Sequence, residues 1–327
     1  MANRNLEILL MEYEEKRRRE EMEFDKKKEK VYARIPRLSE IEDEINKISI
    51  NKAKAILNGN GNIEKINKKV SELLEQKEKI IKEENLDLRI KYECNICNDT
   101  GYVKNKEGRT TMCNCLRQKL INISYNQSNL SDIKKDNFDN FNDKLFSDEG
   151  KRSARKNINK IKDASLKFIE RFDDKETKNL LFTGNTGLGK TYMSNCIANE
   201  LLKKGKNVLY QTAPVLLETV IDNKFNKYKN QDADEFYNNI LTVDLLIIDD
   251  LGAESLNSLK VSELFTILNT RILNLNNKVT KTIISTNLSI EQIFKLYEER
   301  IGSRIAGYYD IYQFFGDDLR LKKWRNK

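Results

Sequence analysis

Short apolar segments alternate with amphipathic segments from Lys151 to the end of the chain. The apolar segments are too short for helices, whereas the segments between them repeat apolar residues at helical spacing. This alternation is typical of an α/β domain with a mostly parallel sheet, here of five strands. Strands are predicted at Asn179 to Thr183, Asn207 to Thr212, Val243 to Asp249, Thr280 to Thr286 and Asp310 to Phe315.

The first part of the chain is patterned for helices instead. Residues 5–30 are almost all helix formers with dense charge of both signs, which predicts an exposed helix that Pro36 interrupts. Ser39 and Glu42 fit an N-terminal capping box, and isoleucines at helical spacing follow. A second amphipathic helix is expected from Ile63. The two helices form either an antiparallel hairpin or part of a bundle. This region is either a solvated spacer or a surface for a partner, and the sequence favours neither.

Four regions are therefore expected: a charged helical region at 1–90, a cysteine module at 91–120, a linker at 121–150 and the α/β domain at 151–327. The linker is rich in Asn, Asp and Ser. Hydrophobic residues make up only 39% of the 327 residues, in keeping with charged helical material beside one packed domain.

Composition narrows the possible chemistry. The chain has 59 Lys and Arg against 51 acidic residues, a net charge of +8, which permits a polyanionic partner such as nucleic acid without requiring one. It has no histidine, which excludes Ser-His-Asp and Cys-His nucleophile systems and histidine-ligated zinc. No apolar run is long enough for a membrane span or a signal peptide, so a cytoplasmic protein without a membrane partner is expected.

A glycine-rich loop follows the first predicted strand. Gly184 to Thr191 matches G-x-x-x-x-G-K-[ST] between a strand and a helix, the context in which backbone N–H groups and the helix N-terminus bind phosphates. Lys190 is expected to reach the β- and γ-phosphates of ATP, and the Thr191 hydroxyl to bind Mg²⁺. The predicted nucleotide-binding residues are Gly184, Asn185, Thr186, Gly187, Leu188, Gly189, Lys190, Thr191 and Tyr192.

Polar residues at the ends of later strands complete the predicted site. Asp249 and Asp250 end a continuous apolar strand; Asp249 is predicted to hold Mg²⁺ and Asp250 to orient or deprotonate the attacking water. Asn287 ends another strand and is predicted to hold that water or the γ-phosphate. Further along, Arg300 and Arg304 share one helical face, where they are either surface ion-pair partners or charges offered to a neighbouring subunit.

Four of the five cysteines form two close pairs, Cys94 with Cys97 and Cys113 with Cys115. Four thiolates with no open position are typical of a structural Zn²⁺ site. A redox dithiol of the first pair is the alternative, but it leaves the second pair unexplained. Cys196, alone on the helix after the glycine loop, is predicted to be a core residue.

Several of these segments together resemble the AAA+ superfamily, and within it the DnaC/DnaI-type replicative helicase loaders of bacteria and phages and their DnaA-like relatives. The segments are Gly184–Thr191, Leu246–Gly252, Ile284–Asn287, Glu299–Arg304 and the cysteine segment from Cys94. The resemblance implies an AAA+ P-loop ATPase that binds a replicative helicase hexamer and single-stranded DNA and self-associates through the ATP site. It implies the Walker A role for Gly184–Thr191, the Walker B role for Asp249 and Asp250, and the sensor 1 role for Asn287.

The resemblance also implies an arginine-finger role for Arg300, with Arg304 in reserve, and a DNA-lining helix within 213–240. Residues there that suit phosphate contact or base stacking are Lys224, Phe225, Lys227, Tyr228 and Lys229. A solvated basic helix is the alternative for this segment. Asp250 departs from the Glu usual in AAA+ enzymes, which puts efficient hydrolysis in question. The chain ends soon after the last strand, so no helical lid is expected, which fits loaders better than DnaA-like initiators. An IstB-like transposition helper and a nucleotide-regulated scaffold without turnover are the alternatives.

Overall fold

The computed structural model describes residues 2–57, 63–105, 107–124, 135–148, 153–225, 233–273 and 278–321. The chain divides into two compact units, Leu10–Thr111 and Met1–Leu9 with Met112–Lys327. None of the helices in the described ranges is both long and apolar enough to cross a membrane.

The unit Leu10–Thr111 is built from helices and one small sheet. Its elements are α1 (Ala2–Arg34, which begins in the other unit), α2 (Pro36–Leu57), α3 (Ile63–Glu83) and the paired strands β1 (Tyr102–Lys104) and β2 (Thr110–Met112). Helices α2 and α3 form the predicted antiparallel hairpin, because Lys52 hydrogen-bonds to Asn67 near one end and Arg37 to Gln76 near the other.

The predicted capping box at Ser39 is wrong. Helix α2 begins at Pro36, since proline is pre-organised for a first helical turn, and Ser39 lies inside the helix. Glu42 instead accepts hydrogen bonds from Lys28 of α1 at 2.6 Å and Lys77 of α3 at 3.2 Å, and from the Tyr32 hydroxyl. One carboxylate thus joins all three helices.

A parallel five-stranded sheet forms the centre of the second unit. Its strands lie in the order β4-β5-β6-β3-β7. They are β3 (Asn179–Thr183), β4 (Val208–Thr212), β5 (Leu245–Leu251), β6 (Lys281–Thr286) and β7 (Tyr309–Gln313). All five predicted strands are confirmed.

Helices cover both faces of this sheet. In chain order they are α4 (Asn114–Ser124), α5 (Ala154–Glu170), α6 (Lys190–Lys203), α7 (Ala213–Phe225), α8 (Ala233–Thr242), α9 (Ser258–Leu273), α10 (Ile290–Leu296) and α11 (Glu298–Tyr308). Leu246 and Ile248 pack in one core with α7, α9 and α11, whereas Leu245 and Ile247 pack in the other with α5 and α6. A strand buried on both faces explains the continuous apolar run before Asp249.

Helix α4 covers the edge of the sheet at β4. The Gln118 amide donates to the carbonyl of Val208 and accepts from its N–H, both at 2.8 Å, so it satisfies backbone groups that a neighbouring strand would otherwise bind. Asn114, at the start of α4, accepts through its carbonyl from Asn207 at 3.0 Å. These bonds tie the segment that carries Cys113 and Cys115 to the sheet.

Candidate nucleotide and metal sites

The glycine loop adopts the conformation that its glycines permit. Gly184, Gly187 and Gly189 have φ angles of 132°, 75° and 91°, a region that other residues rarely occupy. A side chain at Gly184 would also lie 2.2 Å from the carbonyl oxygen of Phe314. Helix α6 begins at Lys190, directly after the loop, so the loop ends at a helix N-terminus that attracts anions.

Lys190 lies at the centre of this loop. Its ammonium nitrogen donates to the carbonyl oxygens of Gly184 at 2.6 Å and Asn185 at 2.7 Å, and to Oδ1 of Asn287 at 2.7 Å. Burial lowers the pKa of Lys190, and the nearby carboxylates of Asp250 and Asp249 oppose that shift. The structure therefore brings Lys190 and Asn287, predicted from separate strands, to one point.

Asp249 is buried beneath the loop. Its Oδ2 accepts from the Thr191 hydroxyl at 3.0 Å and from the hydroxyl of Tyr210, and its Oδ1 accepts from the hydroxyl of Ser285. Ligands at about 2.1 Å in an octahedral Mg²⁺ shell lie about 3 Å from their neighbours, which matches the Thr191 and Asp249 oxygens. This pair of residues fits the ion that the sequence predicts. Sequence reasoning missed Tyr210 and Ser285, whose contacts depend on the neighbouring strands.

Asp250 points away from the core. Its backbone has φ of 53°, the left-handed region, and its N–H lies 3.3 Å from the Ser285 hydroxyl oxygen. Burial and then the Asp249 carboxylate raise the pKa of Asp250, while Lys190 and Arg320 oppose the shift. A carboxylate with a raised pKa beside a bound phosphate is suited to accept a proton from water.

A cavity of about 380 Å³ opens between these groups and the segment before α5. Its lining includes the loop from Thr186 to Met193, with Asp250 and Asn287. Phe141 and Leu145, which lie in the predicted linker, also line the cavity, as does Arg320, which sequence reasoning missed. The remaining lining residues are Asn140, Asn142, Phe146, Ile158 and Leu319.

Tyr192 is fixed by the segment before α5. Its hydroxyl donates to the carbonyl of Asn137 at 2.7 Å, and its ring lies 6.5 Å from that of Phe141. Two polar side chains of the same helix, Asn195 and Asn199, also bond to Asp136. The P-loop helix therefore holds the segment that forms the apolar wall of the cavity.

Arg300 and Arg304 do not line this cavity. Helix α11 continues through Gly302, as required for the two arginines to share a face. Arg300, about half exposed, stacks on Phe265 with 4.6 Å from its guanidinium carbon to the ring centre, and pairs with Glu298 at 2.7 Å. Arg304 donates to Asn269 at 2.9 Å. The greater exposure of Arg300 suits contact with another molecule, and its finger role stays a prediction.

The four predicted cysteine ligands lie together. One sulfur from each of Cys94, Cys97, Cys113 and Cys115 lies within 4.8 Å of the others. Tetrahedral zinc with Zn–S bonds of about 2.3 Å needs sulfur–sulfur separations of about 3.8 Å. The four sulfurs therefore need to move only slightly closer together to bind one zinc ion. Asp99 is buried and accepts from the N–H groups of Glu93 and Cys94, both at 2.9 Å. These bonds hold the backbone of the turn that carries Cys94 and Cys97.

Most of the predicted DNA-lining residues cannot be placed. Lys227, Tyr228 and Lys229 lie outside the described residues, as does the side chain of Phe225. Lys224 pairs with Glu263 at 2.5 Å and lies 5.2 Å from the ring centre of Tyr237. Cys196 is fully buried, as predicted, and burial raises the pKa of its thiol to about 12.

Comparison with known proteins links these features to nucleotide-binding proteins. A family described as IstB-like ATP binding protein matches residues 118–323. The chain is similar to the replicative helicase loader DnaC of Escherichia coli (strain K12). The two are 27% identical over 151 residues, which are 46% of this chain and 59% of DnaC. It is also similar to the phage-like element PBSX protein XkdC of Bacillus subtilis (strain 168), 27% identical over 225 residues, which are 66% of this chain and 79% of XkdC. A solved structure of the DnaC helicase loader has a TM-score of 0.46 at 22% identity, covering 56% of this chain and 99% of that chain.

Proposed function

Because the chain belongs to the family of IstB-like ATP-binding proteins, we propose that it binds ATP with Mg²⁺ and hydrolyses it at the carboxyl ends of β3, β5 and β6. One observation carries the proposal: the sheet gathers Lys190, Thr191, Asp250 and Asn287 around a single cavity, and Thr191 donates to the buried Asp249. Ligands bind at this edge of parallel α/β sheets.

Each of these residues has a distinct role in the proposed reaction. Lys190 would bind the β- and γ-phosphates, and Thr191 and Asp249 would hold Mg²⁺, which would neutralise phosphate charge. Asp250 takes the proton from the attacking water, and Asn287 orients that water or the γ-phosphate. The apolar side chains around Phe141 would contact the adenine base of ATP.

We further propose that the protein is a helicase loader in DNA replication initiation. The likeness to DnaC and the combination of an N-terminal helical region with a four-cysteine module support this assignment. The helices and a Zn²⁺-bound module would bind the replicative helicase hexamer, and the ATPase domain would bind single-stranded DNA and self-associate. Arg300 of one subunit would then complete the ATP site of the next.

The ATPase proposal is tested with Lys190→Ala. We expect this variant to lose ATP turnover by roughly 100-fold or more, because the phosphates lose their only loop lysine. Lys203→Ala, at the exposed end of the same helix, is the matched control and should turn over ATP like the wild type. Normal hydrolysis by Lys190→Ala would contradict the site assignment. Nucleotide binding without turnover by the wild type would favour the scaffold alternative.

Co-purification tests the loader proposal separately. The full chain should retain a DnaB-type helicase hexamer in the presence of ATP, and ATP turnover should respond to single-stranded DNA. The alternative partner is a transposase, as for an IstB-like transposition helper. Retention of a transposase and not of the helicase would overturn the loader assignment and leave the ATPase proposal intact.

A further inference from the structure

A buried carboxylate follows the acidic end of β5. Glu254 is only 7% exposed, and its two oxygens accept from the backbone N–H of Gly252 at 2.9 Å and from the hydroxyl of Tyr297. Tyr297 is itself fully buried. Burial and then the Glu254 hydrogen bond raise the pKa of Tyr297, which keeps its hydroxyl protonated as a donor. Neither residue touches the nucleotide cavity.

Glu254 stabilises the turn that presents Asp250. The Ala253 N–H donates to the Asp250 carbonyl at 3.1 Å, so residues 250–253 form a tight turn. Asp250 and Gly252 have φ angles of 53° and 104°, and a side chain at Gly252 would lie 2.7 Å from Leu288. A non-glycine residue in the left-handed region persists only when its surroundings hold it there. The Gly252 N–H bond to Glu254 is one of the contacts that do so.

Tyr297 links the turn after β5 to helix α11. It is the residue between α10 and α11, and Glu298, directly after it, has φ of 68° and pairs with Arg300. A single hydroxyl therefore joins the turn after β5 to the start of the helix that bears Arg300. The path from Asp250 to Arg300 runs through packed, hydrogen-bonded groups of one unit.

We infer that Glu254 and Tyr297 are positioning residues for ATP hydrolysis, which together set the direction of the Asp250 carboxylate and anchor the first turn of α11. This inference rests on the proposed ATPase function. It assigns the pair a role in the chemical step and none in nucleotide capture, because Lys190, Thr191 and the loop amides lie on other elements.

Steady-state ATP turnover and nucleotide affinity of the full chain test the inference together. Tyr297→Phe keeps the ring and removes only the hydroxyl, and Glu254→Ala removes the acceptor. We expect each to lower kcat by roughly 10- to 100-fold, since small displacements of a catalytic group have effects of this size. The Kd for a non-hydrolysable ATP analogue should change by less than about threefold, which follows from an intact phosphate loop. The double variant Glu254→Ala with Tyr297→Phe should have a kcat no lower than that of the more impaired single variant, because both substitutions remove the same hydrogen bond.

Two further variants separate positioning from folding. Glu254→Gln retains an acceptor for Gly252 and a polar partner for Tyr297, so it should recover much of the kcat that Glu254→Ala loses. Tyr308→Phe is the matched control: Tyr308 is exposed at the end of α11, and this variant should behave as wild type. Wild-type kcat in Tyr297→Phe, or a loss in analogue affinity equal to the loss in kcat, would overturn the inference. A wild-type chain that does not bind or hydrolyse ATP would instead overturn the proposed function.

Discussion

The ammonium nitrogen of Lys190 and the side-chain oxygen Oδ1 of Asn287 lie 2.7 Å apart, although the two residues are 97 positions apart in the chain. Lys190 follows β3 and Asn287 follows β6, and these strands are neighbours in the sheet. The hydrogen bond joins the phosphate loop to the end of β6.

Asn287→Asp and Asn287→Ala are expected to differ in their effect on ATP binding. The Asp variant places a carboxylate beside Lys190, which competes for its charge and repels phosphate, so ATP affinity should fall by roughly tenfold or more. The Ala variant adds no charge; its affinity should stay close to wild type while kcat falls by roughly 10- to 100-fold. Equilibrium titration with a fluorescent ATP analogue, beside steady-state turnover, distinguishes the two. Equal affinities in both variants would contradict the predicted electrostatic role.

Asp250→Asn is expected to stabilise the ATPase domain while it abolishes turnover. Because the folded-state pKa of Asp250 is raised, the folded state binds this proton more tightly than the unfolded state, and ionisation at neutral pH destabilises the fold. Removing the charge should raise stability by less than about 1 kcal/mol, since solvent screens the exposed group. Asn also tolerates the left-handed backbone at this position. Thermal melting without nucleotide and an ATPase assay check both parts.

The same shift predicts a pH dependence of the wild-type reaction. Turnover should decline on acidification as Asp250 takes up a proton, at a pH above its ordinary value of 3.8. A kcat profile that is flat across this acidic range, in a chain that remains folded, would argue against Asp250 as the base.

Zinc content should depend on the cysteine cluster and not on the fifth cysteine. Cys97→Ser removes one ligand of the predicted tetrahedral site and is expected to lose stoichiometric zinc together with the local fold of β1 and β2. Cys196→Ala, a change in the core beside the five-stranded sheet, should retain the metal and serves as the control. Atomic emission analysis of purified protein measures both. Unchanged zinc in Cys97→Ser would rule out the predicted ligand set.

The junction of the first three helices should weaken in acid. Burial alone would raise the pKa of Glu42, but the hydrogen bonds from Lys28, Tyr32 and Lys77 outweigh it and lower the pKa from 4.5 to about 2. The resulting stabilisation, which solvent screening reduces to about 1–2 kcal/mol, is fully present above pH 4.5 and is lost as the pH falls toward the folded-state value.

Glu42→Gln should remove this stabilisation already at neutral pH. Urea unfolding followed by far-UV circular dichroism should show lower helix stability for this variant, and little further loss on acidification from this position. Glu72→Gln, on the exposed side of α3, is the matched control. Equal urea midpoints for the two variants at neutral pH would contradict the assignment of Glu42 as the shared partner.

Local features of the chain were sufficient for the strands and the phosphate loop. Short apolar segments predicted the strands of the sheet, and the run before Asp249 is continuous because that strand is buried on both faces. Gly184, Gly187 and Gly189 predicted the loop because its backbone conformations exclude other residues. In both cases the physical cause lies within a few consecutive residues, so the sequence displays it directly.

Contacts between distant segments decided the rest. The capping-box prediction at Ser39 failed because the helix begins at Pro36, and Glu42 instead bonds to side chains of α1 and α3, which no local pattern reveals. Tyr210, Ser285 and Arg320 join the site, and Glu254 reaches Tyr297, only once the strand order and helix packing bring them together. Such pairings depend on which elements become neighbours, and that is set by burial of apolar faces across the whole domain and not by the spacing of residues along the chain.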